Sequence, residues 1–151
     1  MTHEFFQVLK KDHQEVLSLF DQIQQTPSTS VRTREDLFKK LAMELVPHLK
    51  SEERVYYPEL REKKESHMEA LKAIEEHRIT EMVFNELNAM SKQEENFGAK
   101  LNVLKDVVKH HIDEEESKLF QITSDLLSRE QIDHIAKSFK EEKEKIKSSM
   151  R

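Results

Sequence analysis

The chain has 151 residues, of which 36% are charged and 36% apolar, with only 1 Gly and 3 Pro, a composition typical of a single all-α domain with long helices. Because the net charge is −5, the basic residues are mixed with acids and no apolar run approaches about 20 residues, we expect a cytoplasmic protein that binds neither nucleic acid nor membrane. The absence of Cys excludes disulfides, thiolate zinc sites and iron–sulfur clusters, so any metal must be held by nitrogen and oxygen.

The first predicted helix covers 6–23, where apolar residues recur at spacings of three and four, the period of one helix face. His13 lies on this face. Residues 26–30, with the sequence Thr-Pro-Ser-Thr-Ser, end the helix because proline and small hydroxylated residues favour turns. A histidine on a buried face requires a partner, since an unpaired imidazole taken out of water is costly.

The second apolar face runs over 37–55 and carries His48, with Glu52 four residues later. We expect this helix to end before Pro58, since the residue that precedes a proline avoids the α conformation. Pro47 lies inside the helix, where it removes one backbone hydrogen bond. A kink or a local bulge is therefore expected just before His48.

Three more apolar faces follow, over 70–88, 97–122 and 129–147. The first two each carry a histidine with a glutamate four residues later: His77 with Glu81, and His111 with Glu115. Four helix starts carry the capping-box pattern: Thr33 with Asp36, Ser66 with Glu69, Ser91 with Glu94, and Ser128 with Gln131. Short polar turns between the long helices predict one domain over 1–151, an up-down-up-down four-helix bundle with a short fifth C-terminal helix over 129–147.

The histidine–glutamate pairs exceed the number expected by chance. Glutamate makes up about 15% of the chain, so 8 histidines should give about one such pair, whereas four occur. The fourth pair, His110 with Glu114, lies on a face that ends in Lys118, which favours exposure. Phe120 follows Glu115 by five residues, just as a tyrosine follows Glu52. We therefore expect the pair at 111 and 115 to point inward.

One interpretation of each pair is a surface contact between residues one turn apart, which contributes only a few tenths of a kcal/mol. Three pairs and His13, all in phase with apolar residues on four different helices, favour another interpretation. Four helices that each project a ligand into a bundle core are the usual construction of dinuclear iron and manganese sites. The pattern therefore predicts a buried metal centre.

At these residues the chain resembles the hemerythrin-like, or HHE cation-binding, family. The family pattern is a lone His on the first helix, His-x-x-x-Glu on the second, a His on the third and His-x-x-x-Glu on the fourth. It is matched over 5–127 by four motifs: Asp12-His13, then His48 to Glu52 leading to Tyr57-Pro58, then Glu76-His77, then His111 to Glu115 leading to Leu119-Phe120. The resemblance implies a hemerythrin-like bundle and a non-haem diiron centre, two iron ions with an oxo or hydroxo bridge.

By the same resemblance, Glu52 and Glu115 would bridge the two ions, and the terminal ligands would be His13, His48, His77 and His111. Oxygen-carrying hemerythrins have a second histidine on the third helix, where this chain has Glu81. We expect Glu81 to be a seventh ligand; the alternative is a carboxylate that orients a ligand histidine. Manganese and zinc would also suit this set, because histidine and carboxylate serve all three metals.

Tyr56 and Tyr57 are candidates for hydrogen bonds beside the site, although tyrosine next to a proline that ends a helix is more often a packing residue. A third carboxylate would make the centre easier to oxidise than an oxygen carrier. The leading hypothesis is a module that binds iron and O2, peroxide or NO for sensing, storage or stress response. The alternatives are a diiron oxidase or peroxide-decomposing enzyme, and a metal-free interaction bundle. The sequence indicates no particular protein partner.

Overall fold

The computed structural model describes residues 3–151, and its regular structure is helical. In chain order the segments are α1 (Glu4–Gln24), α2 (Val31–Ser51), π1 (Glu52–Tyr56), α3 (Tyr57–Arg61), α4 (His67–Ala89), α5 (Glu95–Glu114), π2 (Glu115–Leu119), α6 (Phe120–Leu126) and α7 (Arg129–Met150). The second long helix of the bundle is α2, π1 and α3 in continuous succession, and the fourth is α5, π2 and α6. Together with α1 and α4 they form the predicted four-helix bundle, which is confirmed.

The fifth helix, α7, extends beyond the predicted 129–147 and packs against α1, α2 and π1. Its apolar side carries Ile132, Ile135 and Phe139, all of which are buried. The helix therefore covers the outside of the first two bundle helices over several turns.

The apolar core is divided into two clusters. One lies towards the end of the bundle that contains Phe20, Phe38 and Phe97. The other surrounds Phe5 and Tyr57 and includes the apolar side of α7. On α1 the two clusters are separated by a polar layer at Asp12 and His13. The ionisable groups that the sequence placed on apolar faces therefore lie between two dry regions of the core.

Two π-helical turns interrupt the second and fourth helices, and both begin at a glutamate of the candidate site. In π1 the Tyr57 N–H bonds to the Glu52 carbonyl, and in π2 the Phe120 N–H bonds to the Glu115 carbonyl. The sequence predicted an irregularity just before His48, caused by Pro47; the helix is instead regular there and widens at residue 52. Because π2 contains no proline, proline is not the common cause.

The predicted end of the second helix at Pro58 is wrong, since α3 continues to Arg61. Pro58 lies in the first turn of α3, where a missing N–H is tolerated after the irregular hydrogen bonding of π1. In the described part of the chain, no helix is both long and apolar enough to span a membrane.

Among the four predicted capping boxes, only the one at Ser128 forms as expected: its hydroxyl accepts from the Gln131 N–H, and the Gln131 side chain accepts from the Ser128 N–H. Ser66 instead donates to the Leu60 carbonyl, and α2 begins after Ser30, which makes no side-chain cap bond. A local pattern therefore identified the start of α7 and missed the start of α2.

We expect Ser128→Ala to lower the free energy of unfolding by about 1 kcal/mol, because it leaves helix N–H groups unpaired at the start of α7. For a chain of this size the melting temperature should fall by about 2–4 °C. Ser30→Ala is the matched control, since that N-cap side chain makes no such bond. Equal melting temperatures for both variants would contradict the role of the Ser128 cap.

Candidate metal centre

The polar layer between the two apolar clusters contains six of the seven predicted ligands. Each bundle helix supplies one histidine, and each π turn supplies its first residue, a glutamate; the six are His13, His48, Glu52, His77, His111 and Glu115. None of these residues is more than 5% exposed. By contrast, the His110 side chain is 63% exposed. The structure therefore places the pair at 111 and 115 inward.

The ligand atoms of these residues fall into two groups that share one carboxylate. The first group contains His13, His48, Glu52 and Glu115, and the second contains Glu52, His77 and His111. Within each group the candidate ligand atoms lie within 4.8 Å of one another. Each group is therefore compact enough to surround a cation, and Glu52 is common to both.

The Nε2 atoms of all four histidines point into the cluster. His48 Nε2 lies 3.3 Å and His77 Nε2 3.2 Å from Glu52 Oε1. His13 Nε2 lies 3.2 Å from Glu115 Oε1, and His111 Nε2 lies 3.5 Å from Glu115 Oε2. Each glutamate thus faces one histidine from each half of the chain.

Three buried atoms of the cluster make no hydrogen bond: Glu52 Oε2, and His13 Nε2 and Glu115 Oε1, which face each other at 3.2 Å without hydrogen-bond geometry. A buried polar atom without a partner costs about 1–3 kcal/mol, and more when it is charged. The Nε2 atoms of His77 and His111 are only 3.0 Å apart. Two lone pairs at that distance repel each other unless a proton or a cation lies near them. The donor set therefore fits a metal cation.

An outer ring of four carboxylates holds the other nitrogen of each histidine. Each bundle helix supplies one acid to the histidine of the next helix: Asp12 to His48 at 2.9 Å, Glu53 to His77 at 2.8 Å, Glu76 to His111 at 2.8 Å, and Glu116 to His13 at 2.6 Å. Since a carboxylate can only accept, each Nδ1 carries the proton and each Nε2 keeps a lone pair for a metal.

Sequence reasoning missed the role of these four acids. The carboxylate of Glu116, for example, lies outside the cluster, yet it holds the ring of His13. The signal was present, because each acid is next in sequence to an inward ligand. It could not be interpreted because each acid binds the histidine of a different helix, and that contact depends on the packing.

The charges of the cluster shift several pKa values. Burial alone would lower the pKa of His48, but the charge of Glu52 and the hydrogen bonds that the imidazolium donates to Asp12 and Glu52 raise it to about 10. Burial would raise the pKa of Glu52, yet the charge of His48 and hydrogen bonds from His111, His48 and His77 hold it well below its usual range. The pKa of His111 is raised in spite of burial, mainly by hydrogen bonds to Glu115. The cluster thus stabilises positive charge, and a metal cation would replace these protons.

The Tyr57 hydroxyl lies within the cluster. It is 2.6 Å from Glu115 Oε2, 3.1 Å from Glu52 Oε1, 3.0 Å from His111 Nε2 and 3.2 Å from His77 Nε2. One O–H can donate to only one of these atoms at a time. The Tyr56 hydroxyl is directed elsewhere and pairs with Thr123 Oγ1 at 2.6 Å. The two tyrosines therefore have different surroundings, although both are fully buried.

Glu81 does not join either ligand group in residues 3–151 and is only half-buried. The inward face of α4 runs through Ala73, His77, Thr80 and Phe84. Glu81 lies about 100° around the helix from Thr80, at the side of that face. The expectation that Glu81 is the seventh ligand rested on its position one turn after His77. Because Thr80 is buried, the inward face of α4 passes through residue 80 and not through residue 81.

A small cavity lies beside the cluster, on the side of the Phe20 end of the bundle. It has room, ≈10 Å³, for about one water-sized molecule. Three ligand histidines border it, and the rest of its wall is Thr80 and apolar side chains: Val16, Leu45, Leu49, Val108 and Ile112. The cluster therefore adjoins a space of small-molecule size that is almost entirely apolar.

Comparison with known proteins gives a consistent result. The family model for the hemerythrin HHE cation binding domain matches residues 4–123. A DNA nickase from Nostoc sp. is 29% identical over 143 residues, which are 95% of this chain, and the chain spans 40% of that protein's length. The crystal structure of a hemerythrin HHE cation binding domain-containing protein from Mycobacterium kansasii has a TM-score of 0.82 at 25% identity, over 99% of this chain and 90% of that one.

The family match includes all six clustered ligands and the four acids of the outer ring. Together with the buried histidine and glutamate cluster, it indicates metal-ion binding. The chain belongs to the hemerythrin HHE cation-binding domain family.

Proposed function

We propose that the chain binds two iron ions in the buried layer and uses them to bind or react with a small ligand: O2, peroxide or NO. The observation that carries this proposal is the pair of ligand groups that share Glu52. Adjacent sites that share carboxylates between the helices of a bundle are typical of dinuclear iron and manganese proteins. Two ions so held would supply redox chemistry at a site that is closed to bulk water.

In this proposal His13 and His48 hold one ion, and His77 and His111 hold the other. Glu52 fits a bridging role because it faces a histidine of each group, and Glu115 faces His13 and His111 in the same way. Zinc and manganese accept the same ligands, so the choice of iron depends on the family and must be measured.

Tyr57 is the candidate for the seventh ligand in place of Glu81. Its oxygen lies among four other candidate ligand atoms, whereas Glu81 lies outside the cluster. Among the protein groups alone, burial and the charges of Glu115 and Glu52 raise the pKa of Tyr57. A nearby metal cation reverses that effect, because it favours the phenolate. As an anionic ligand Tyr57 would stabilise the higher oxidation state, as was expected of Glu81.

The size of the cavity supports a small ligand over an organic substrate. A space of ≈10 Å³ with a largely apolar wall holds about one water-sized molecule, which fits a diatomic ligand better than an organic substrate. Sensing, storage and a stress response to such molecules are the functions that this site supports best. A peroxide-decomposing enzyme uses the same residues and would be recognised by steady-state loss of peroxide well above that with free iron.

DNA nicking is not supported by the site. The relative named as a nickase is longer than this chain, which spans 40% of its length. The candidate ligands are at most 5% exposed, so a phosphodiester on the surface would not reach them. The net charge of −5 is also unfavourable for binding a polyanion. We therefore expect no nicking of supercoiled plasmid by the iron-loaded protein.

Protein produced in iron-replete cells should contain two irons per chain. Glu52→Ala should lose both, because Glu52 belongs to both ligand groups, and His77→Ala should lose at least one. Glu81→Gln is the matched control and should keep both. Metal analysis by mass spectrometry measures all four proteins. Under 0.2 metal per chain in the wild type would instead favour the metal-free bundle, and two zinc ions would contradict the choice of iron.

Tyr57→Phe should remove a visible absorption band, since a phenolate bound to ferric iron absorbs by charge transfer. Tyr56→Phe is the matched control: it removes the neighbouring buried hydroxyl, which is directed to Thr123. Both variants should retain iron. A band that survives in Tyr57→Phe, or that is absent from the iron-loaded wild type, would show that Tyr57 is not a ligand.

Val108→Leu should slow the reaction with O2, peroxide or NO by about tenfold, because the added methylene occupies the small cavity; the strain of overpacking is about 1–3 kcal/mol. The iron content should not change. Val103→Leu, on the exposed side of the same helix, is the control. Stopped-flow absorbance of the reduced iron protein measures the rates. Identical rates in both variants would show that the cavity is not the ligand site.

A further inference from the structure

The four carboxylates of the outer ring differ in one respect. Asp12 forms an ion pair with Lys143, whose Nζ lies 2.5 Å from Asp12 Oδ1. Within residues 3–151, Glu53, Glu76 and Glu116 pair only with histidines. Asp12 is also the most buried of the four, with 5% of its side chain exposed against 17–32% for the others. One ligand histidine is therefore held by a carboxylate that also pairs with a lysine.

The lysine that pairs with Asp12 lies on α7. Residues 4–123 match the family model, and Lys143 lies outside that range. The same helix places Phe139 edge-on against the His48 ring, with 5.8 Å between the ring centroids. The apolar side of α7 is buried in the core, so this helix holds Lys143 in a fixed position. Both contacts of α7 with the metal layer reach the same histidine, His48.

The consequence for His48 follows from electrostatics. A carboxylate that is paired with lysine attracts the Nδ1–H proton of its histidine less strongly than a free carboxylate does. The imidazole then carries less negative charge and is a weaker donor at Nε2. In the described residues, the acids that hold His77 and His111 have no lysine within ion-pair distance; Lys72 acts on Glu76 only from further away. The ligand group that contains His48 therefore donates less electron density than the other.

We propose that Lys143 is a positioning residue that acts through Asp12 and His48 to make the two metal ions inequivalent. The ion held by His13 and His48 is then easier to reduce than the ion held by His77 and His111. This inference rests on the proposed dinuclear centre, and it assigns to α7 the control of the reduction potential of one of its two ions.

The first test compares the reduction potentials of iron-loaded wild type, Lys143→Met and Lys143→Arg. Loss of the charge should stabilise the oxidised state about tenfold, which is about 59 mV for a one-electron step. Lys143→Arg should restore the wild-type potential. Lys105→Met is the matched control: Lys105 is 26% exposed against 18% for Lys143, and it pairs with Asp21, which is on the same helix as Asp12 but outside the outer ring. Equal shifts in Lys143→Met and Lys105→Met, or no shift in either, would overturn the proposal.

The second test is NMR of the histidine side chains labelled with ¹⁵N, in zinc-loaded protein and in protein without added metal. Lys143→Met should move the Nδ1–H signal of His48 and leave those of His77 and His111 in place. Equal movement of all the histidine signals would overturn the proposal. Because the sample without metal reports the same contact, this result is independent of the iron content. Failure of the wild type to bind two irons would contradict the proposed function alone.

Discussion

The rest of the structure depends on the burial of six ionisable side chains between two apolar clusters. Four imidazoles and two carboxylates taken out of water would destabilise the fold by many kcal/mol if they were unpaired. The outer ring stabilises one nitrogen of each imidazole, since each Nδ1 donates a hydrogen bond to a carboxylate on the neighbouring helix. The inner atoms remain, and three of them have no hydrogen-bond partner. A bundle built in this way is stabilised by whatever cation fills its centre, which joins metal binding to folding.

The two π turns explain how carboxylates and a tyrosine reach the same point. In a regular α-helix, residues five apart are separated by about 140° around the axis, so Glu52 and Tyr57 would face different directions. A π turn widens the helix by one residue and brings them onto nearly the same side. The equivalent turn at Glu115 brings Phe120 onto the inward side and buries it. A π turn thus occurs at the equivalent place in the second and fourth helices. The two places differ chemically because Tyr57 has a hydroxyl and Phe120 does not.

The sequence predicted the bundle and most of the cluster because both depend on periodicity. Apolar residues at spacings of three and four locate the helices, and His48 in phase with them must be buried. Three things did not follow from periodicity. The inward face of α4 includes Thr80 and leaves Glu81 at its side. Residues three and four positions after His77 can both share its face, so spacing alone does not choose between them. The two π turns have no proline in common from which the sequence could have predicted both. The contacts of the outer ring join different helices, so only the packing reveals them.

When Tyr57 replaces Glu81 in the proposed ligand set, the expected preference for oxidised metal stays the same, but it then comes from a phenolate and not from a third carboxylate. Two carboxylates and a phenolate carry the same negative charge as three carboxylates, so the preference for oxidised metal is the same by Coulomb's law. The location differs, however. Tyr57 contacts His77 and His111, the group whose outer acids have no lysine partner. Lys143 acts on the opposite group. In the proposed centre, the phenolate and the lysine would therefore change the potentials of the two ions in opposite directions, and both would favour one ferric and one ferrous ion.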